Sequence, residues 1–272
     1  MLDQLDLSAV RAVALDVDGT LAGADAQVSE RSIAAMRAVA ALDIPVILLT
    51  GRTRRNALDI ARRAGLPHVA IACNGALVFD PVTDEDLMVN PMSQADKQVF
   101  AQLADELDMD LTWWTKDRMF VAGEGPIRET IRVLNGEEAE IGDPAELGEL
   151  VVMKMMAWAP SDRMDVIADE IHRRLPNTQR SMDSLMEAVD AESTKWHALE
   201  WVLGRYGVDP ASVLGAGDGG NDVVWLSRIG LPVAMGNARP EVHRVARAVA
   251  LSNAEDGAAD LLERLATAHG AR

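Results

Sequence analysis

Short apolar runs alternate with amphipathic stretches towards both ends of the chain. Val13, Ala14 and Leu15 are uninterrupted, and residues 44–49, 69–73 and 213–217 repeat the habit. Runs this short, without polar alternation, predict parallel strands covered on both faces. Helical patterns lie between them. Ile33, Met36, Val39 and Ala40 recur at helical spacing up to Ala41, behind Ser29, whose hydroxyl suits an N-cap. Residues 54–64 and 196–206 continue the strand–helix series. Asn74-Gly75 favours a tight turn, and 77–79 with 87–89 around the stretch 80–86 predicts a hairpin.

Beyond Pro91 the pattern changes. Helical stretches at 94–107, 127–134 and 162–175 mix with strand-like stretches at 111–114, 119–121, 150–158 and 182–188 in an α+β order. Acidic residues at strand ends, present on both flanks, do not recur here. The expected architecture is a doubly wound, mostly parallel α/β Rossmann-like core from residues 1–91 and 188–272. An α+β cap domain, residues 92–187, is inserted into it.

Composition narrows the class. The chain has 272 residues, 49% hydrophobic and 25% charged, enough for a large core in one or two domains. Its apolar runs are far too short to span a bilayer. The opening Met-Leu-Asp-Gln-Leu-Asp lacks the basic and apolar regions of a signal peptide. One cysteine, Cys73, excludes an intramolecular disulfide and fits a reducing compartment, so the cytoplasm is expected. A net charge of −17 disfavours nucleic acid or anionic membrane as partner, since both require clustered positive charge. It also requires that any anion-binding site bring its own cation.

The chemistry gathers where strands end. The run at 13–15 stops on Asp16-Val17-Asp18-Gly19-Thr20, at the carboxyl edge where open α/β sheets hold ligands. While the strand continues, Asp16 and Asp18 share a face. Two carboxylates that close require a cation or a shared proton. A hard divalent cation such as Mg²⁺ suits oxygen ligands and commonly joins carboxylates to substrate phosphate. An aspartate can also attack phosphorus while its neighbour moves a proton. The plainer reading is a strand end punctuated by a solvated turn. After residues 44–49, Thr50-Gly51-Arg52 offers a hydroxyl and glycine amides opening into a helix, suited to a phosphate oxygen. Lys195 sits at a helix start, where a cation reinforces the attraction for anions. The strand at 213–217 ends in a second dense cluster, Asp218-Gly219-Gly220-Asn221-Asp222.

Taken in order, Asp16-Val17-Asp18-Gly19-Thr20-Leu21, Thr50, Lys195 and the 218–222 cluster resemble the signatures of the haloacid dehalogenase superfamily of phosphohydrolases. Residues 231–238, 240–242 and 253–257 resemble the family's carboxyl-terminal run. A cap between the second and third signatures is similar to that of its Cof-type sugar phosphatases. The resemblance implies a Mg²⁺-dependent phosphomonoester hydrolase acting on a small phosphorylated metabolite, a sugar phosphate first of all, through an aspartyl-phosphate. It implies Asp16 as nucleophile, Asp18 as acid and base, and Lys195 as the cation that neutralises nucleophile and phosphoryl group. Thr50, Gly51, Arg52 and Asn221 are the implied substrate-binding residues. Metal ligation falls to Asp16, Asp218 and the backbone carbonyl of Asp18, with Asp222 bracing Lys195 and a metal water. Trp196 replaces the small residue usual after the lysine.

Other readings explain less. Gly215, Gly217 and Gly220 satisfy the dinucleotide fingerprint, but Asp222 would oppose a pyrophosphate at the helix start. The next strand also ends in Met235-Gly236-Asn237, without an acid for a ribose hydroxyl. A receiver-like domain phosphorylated on aspartate has no use for Asp18 and leaves the cap unexplained. A phosphomutase stays open, with the carboxyl-terminal run favouring the hydrolase. In the cap, Trp113, Trp114 and Arg118, with Lys116 nearby, are the candidates for specificity. Consecutive strand residues face opposite ways, so one tryptophan at most meets the site. Met153, Met155 and Met156 read as core filling. Asn74 reads equally as turn former or as a residue at the edge of the site.

Overall fold

The computed structural model describes residues 2, 5–23 and 25–270. The apolar runs of both flanks pair into one parallel sheet, in the order Ala248–Val249, Leu231–Ala234, Val213–Gly217, Ala12–Leu15, Val46–Leu48. Val13 lies opposite Leu214 on one side and Val46 on the other. Strand alternation divides the side chains between two layers. Val13, Leu15, Val46 and Leu48 meet the helices Glu30–Ala40, Arg54–Ala64 and Gly257–Ala268. Ala12, Ala14, Ile47 and Leu49 meet the helix Lys195–Tyr206 and the short helices Val223–Leu226 and Pro240–Val245. Helices cover both faces, which is why these strands read as unbroken apolar runs.

Hydroxyl caps start the helices that matter for the site. Ser29, Thr53 and Thr194 each accept a backbone N–H from the first turn, from Ser32, Asn56 and His197. Leu49 bridges Ile71 in parallel and so extends the sheet into an antiparallel ladder of Ala70–Ala72, Leu77–Phe79 and Asp86–Val89. From Ala12–Leu15 the chain builds outwards to Val46–Leu48. It returns after the middle segment to place Val213–Gly217 on the opposite flank. The strand order therefore reverses between these two strands, and a crevice opens at their carboxyl ends.

The middle segment forms a six-stranded cap sheet. Its order is Thr178–Met182, Leu185–Val189, Lys154–Trp158, Asp110–Trp114, Met119–Val121, Glu140–Ile141, antiparallel except for the last pair. The helices Gln94–Glu106 and Ser161–Arg174 cover one face, over Trp113, Met155, Ala157 and Met186. The other face carries Trp114, Met156 and Leu185 beside Ile127 and Ile131 of the helix Pro126–Asn135. One expectation needs correction. Residues 182–188 do not form a single strand but straddle a hairpin, with Met182 opposite Leu185. The preceding Gln179, Arg180 and Ser181 are polar because their strand lies at the sheet edge, and so they carry no apolar signal. Among the described residues, no helix is long and apolar enough to cross a membrane.

Candidate active site

Asp16 follows the strand Ala12–Leu15, and Asp218 follows its neighbour Val213–Gly217. The backbone N–H of Asp16 donates to the Ala216 carbonyl at 3.1 Å, which keeps it in register with that neighbour. The chain then turns at Gly19, whose φ is +80°. There it passes so close to Asp218 that a Cβ on Gly19 would stand 2.2 Å from Oδ2 of that carboxylate. Glycine is what allows the two acidic loops to touch. The oxygens of Asp16, Asp218 and Asp222 lie within 4.8 Å of one another.

Lys195 reaches this cluster from the first turn of its helix. Its Nζ donates to Asp16 Oδ1 at 2.6 Å and to Asp222 Oδ1 at 2.7 Å. Asp222 is fully engaged: Oδ1 also accepts from Trp225 Nε1, and Oδ2 accepts the backbone N–H groups of Asp218 and Gly219. It therefore braces Lys195 and the 218–219 turn. Among the described residues, Oδ2 of Asp16 and Oδ2 of Asp218 accept no hydrogen bond and are open to a cation, while Oδ1 of Asp218 accepts from Thr20 Oγ1 at 3.5 Å. Burial raises the Asp16 carboxyl well above its ordinary range, and the charge of Asp222 adds to this against the pull of Lys195. Asp218 is pushed up to about 7, again by burial first and Asp222 second. Burial alone would lower the Lys195 ammonium, but Asp16 and Asp222 outweigh it and hold it above its usual value. Three close acids with one ammonium are short of positive charge. Their all-oxygen donor set fits a hard divalent cation.

The second expected group lies alongside. Thr50 is fully buried, and its Oγ1 accepts the N–H of Arg52 at 3.1 Å. Gly51 borders the cavity. The Arg52 guanidinium turns to Asp18, with Nη2 and Nε at 2.7 and 3.0 Å from Oδ1, while Nη2 also donates to the Ala26 carbonyl. Asn221 borders the cavity and donates to Asn74 Oδ1 at 3.3 Å; Asn74 donates in turn to Glu187 of the cap at 2.6 Å. Asn74 thus both forms its turn, at φ +57°, and joins core to cap.

Between the two sheets lies a cavity of about 290 Å³. Asp16, Asp18 and Asp218 border it from the core, and Trp114, Lys154 and Glu187 from the cap. Of the paired tryptophans, Trp114 faces the cavity while Trp113 stacks on Phe120 within the cap core. Arg118 is half-exposed and forks onto Glu140, away from the cavity, and Lys116 pairs with Asp86. Met155 fills the cap core, whereas Met156 borders the cavity. Lys154, Glu187 and Arg239 were not among the sequence candidates, yet all three border the cavity. A signal existed for Lys154: it is the one charged residue in the run 151–158.

A family model for haloacid dehalogenase-like hydrolases matches residues 13–262. A phosphoglycolate phosphatase of Methanopyrus kandleri is 28% identical over 258 residues, covering 93% of this chain and 96% of its own. A 5-amino-6-(5-phospho-D-ribitylamino)uracil phosphatase of Bacillus subtilis is 24% identical, with 92% and 93% covered. Among solved structures, a haloacid dehalogenase-like hydrolase from Bacteroides thetaiotaomicron superposes with a TM-score of 0.83 at 23% identity, covering 94% of this chain and 99% of that one. A sugar phosphatase of haloacid dehalogenase subclass IIB gives 0.82 at 20% identity, covering 94% and 98%.

Proposed function

The chain belongs to the haloacid dehalogenase-like hydrolases, and from that premise we propose that it hydrolyses small phosphomonoesters, sugar phosphates first of all, with Asp16 as nucleophile. One observation carries the reading: a buried carboxylate, held by Lys195 at 2.6 Å, faces a cavity that it shares with Asp18.

Lys195 occupies Oδ1 of Asp16, and Oδ2 accepts no hydrogen bond among the described residues. Oδ2 is the oxygen to attack phosphorus. As the P–O bond to the leaving alcohol breaks, Asp18 donates its proton to that oxygen, and Asp16 becomes an aspartyl-phosphate. Asp18 then takes a proton from water, whose oxygen attacks phosphorus; the bond from phosphorus to Asp16 breaks and phosphate leaves, with Asp16 restored as a carboxylate and Asp18 as the acid. Lys195 and the Asn221 amide spread the charge on the transferring oxygens. Thr50 uses a lone pair for the Arg52 N–H, which leaves its own O–H for a phosphoryl oxygen. Asp16, Asp218 and the carbonyl of Asp18 would hold Mg²⁺, which supplies further positive charge to the phosphoryl group.

The cap, residues 92–187 with the end of the strand Leu185–Val189, roofs the leaving group and excludes bulk water. The preference for sugar phosphates is supported by the subclass IIB sugar phosphatase among the structural neighbours. The test is phosphate release from a panel of phosphorylated metabolites, with Mg²⁺ and with chelator, beside Asp16→Asn. Metal-dependent release that disappears in the variant is the expected outcome. Release that persists in Asp16→Asn would sink the mechanism.

A further inference from the structure

The cap contributes two opposite charges to the cavity roof. The strands Lys154–Trp158 and Leu185–Val189 are antiparallel, with Val189 opposite Lys154 and Met156 opposite Glu187. Lys154 and Glu187 are therefore diagonal neighbours on one face, both within reach of the cavity. Their side chains are 3% and 13% exposed, so neither charge is dissipated by solvent. Yet Lys154 Nζ stands 3.8 Å from Glu187 Oε2, close enough to attract and too far to hydrogen-bond.

Both groups are held in place from behind. Lys154 Nζ donates to the Gly51 carbonyl at 3.0 Å and lies 3.8 Å from the centroid of the Trp114 ring, its partner across the strands. Glu187 Oε2 accepts from Asn74 at 2.6 Å. An ammonium is donor only and an ionised carboxylate acceptor only. A hydroxyl is both. Placed beside the gap, one hydroxyl oxygen accepts from Lys154 while its hydrogen goes to Glu187. A carboxylate would satisfy Lys154 but confront Glu187, with Asp16, Asp18 and Asp218 on the opposite wall. An ammonium would confront Lys154.

We propose that Lys154 and Glu187 clamp a hydroxyl of the leaving group, so that the enzyme selects uncharged polyol phosphates and rejects carboxylated ones; this rests on the phosphatase reading of the same cavity. Trp114, Met156 and Leu185 supply the apolar walls along which the carbon skeleton lies.

The test uses a matched pair on the full-length protein with Mg²⁺: glycerol 3-phosphate and 3-phosphoglycerate, which differ by a hydroxymethyl against a carboxylate. The wild type is expected to favour glycerol 3-phosphate in kcat/KM by about tenfold or more, since like charges forced together cost several kcal/mol. Glu187→Gln removes the repelling charge and should narrow that ratio at least about threefold, the order of a small polar contact. Lys154→Met should raise KM for glycerol 3-phosphate more than it lowers kcat. The wild-type ratio needs no variant, so a misfolded substitution does not disarm the test. Hydrolysis of p-nitrophenyl phosphate without a preference for glycerol 3-phosphate, or an unchanged ratio in folded Glu187→Gln, overturns the clamp alone. Failure to release phosphate from any of the three esters overturns the phosphatase reading and the clamp with it.

Discussion

Lys195 Nζ stands 2.6 Å from Asp16 Oδ1, and both side chains are buried, at 3% and 7% exposure. The same ammonium holds Asp222, which is wholly buried. One cation thus supports two carboxylates, with Asp218 beside them. Such a group of charges is tolerable only because each member is paired or hydrogen-bonded. The arrangement keeps Asp16 fixed while remaining short of positive charge, which a divalent cation would supply.

Removing the ammonium should therefore harm both chemistry and fold. Lys195→Met keeps the stem and loses the charge. We expect kcat to fall roughly 10²–10³-fold, the scale of losing a preorganised donor to the transition state. Breaking a buried pair by deleting one partner typically costs about 3–5 kcal/mol. Phosphate release and urea unfolding on the same preparation measure the two losses. A variant with wild-type kcat would remove Lys195 from the mechanism.

Metal binding should be linked to pH through Asp218, which titrates at about 7 in the folded chain against an ordinary 3.8. Between those values the folded protein keeps a proton that the unfolded chain has lost. Its contribution to stability is therefore greatest below 3.8 and declines as pH rises to about 7. Asp16, raised by the same burial, acts in the same direction. A cation must displace these protons, so Mg²⁺ should raise Tm clearly at pH 8 and little at pH 5. Thermal melts with Mg²⁺ and with chelator test this, and Asp218→Asn should shrink the pH 8 shift. Equal shifts at both pH values would contradict the linkage.

The core of this site was legible because strand ends announce themselves. Asp16 and Asp218 each interrupt an apolar run, and in a parallel sheet such interruptions fall at one edge. The close fit between their loops depends on Gly19, though only the backbone reveals what that glycine avoids. The roof was not legible in the same way. Lys154 and Glu187 meet because of a strand register, Met156 against Glu187, which no local motif encodes. Arg118 was an attractive candidate by proximity to Trp114. The parallel edge strand Glu140–Ile141 instead places Glu140 where it captures that guanidinium. Arg52, expected at substrate, has its donors on Asp18 and Ala26, because the turn after Thr50 aims it across the sheet edge.

Cys73 gives a prediction about access. It is fully buried at φ +50°, and burial pushes its thiol up to about 12. A neutral, enclosed thiol is a poor nucleophile. Labelling by a thiol-specific reagent at pH 8 should therefore follow global unfolding, with the native protein essentially unlabelled and full reaction in urea. Rapid labelling of the native chain would show that the turn at residues 73–75 opens locally, and with it the Asn74 link to the cap.

The last prediction concerns Gly19. At φ +80° an alanine is strained by roughly 1–2 kcal/mol. Its Cβ would also stand 2.2 Å from Asp218 Oδ2 and 2.5 Å from Cγ. The loop has little room to retreat, since Asn237 Nδ2 holds the Gly19 carbonyl at 2.8 Å. The flexible partner is the carboxylate, so Asp218 should swing out of the cluster it shares with Asp16. Gly19→Ala is then expected to weaken Mg²⁺ binding at least about tenfold, while costing no more stability than the strain itself. Gly204→Ala is the control: it lies in the helix Lys195–Tyr206 with nothing within 4 Å of the added methyl. That change should stabilise by about 0.4–1 kcal/mol and leave Mg²⁺ affinity untouched. Calorimetric titration with Mg²⁺ and urea midpoints for both variants decide the matter. Gly19→Ala with wild-type affinity would mean that Asp218 is not a ligand, because its displacement would then cost the metal nothing.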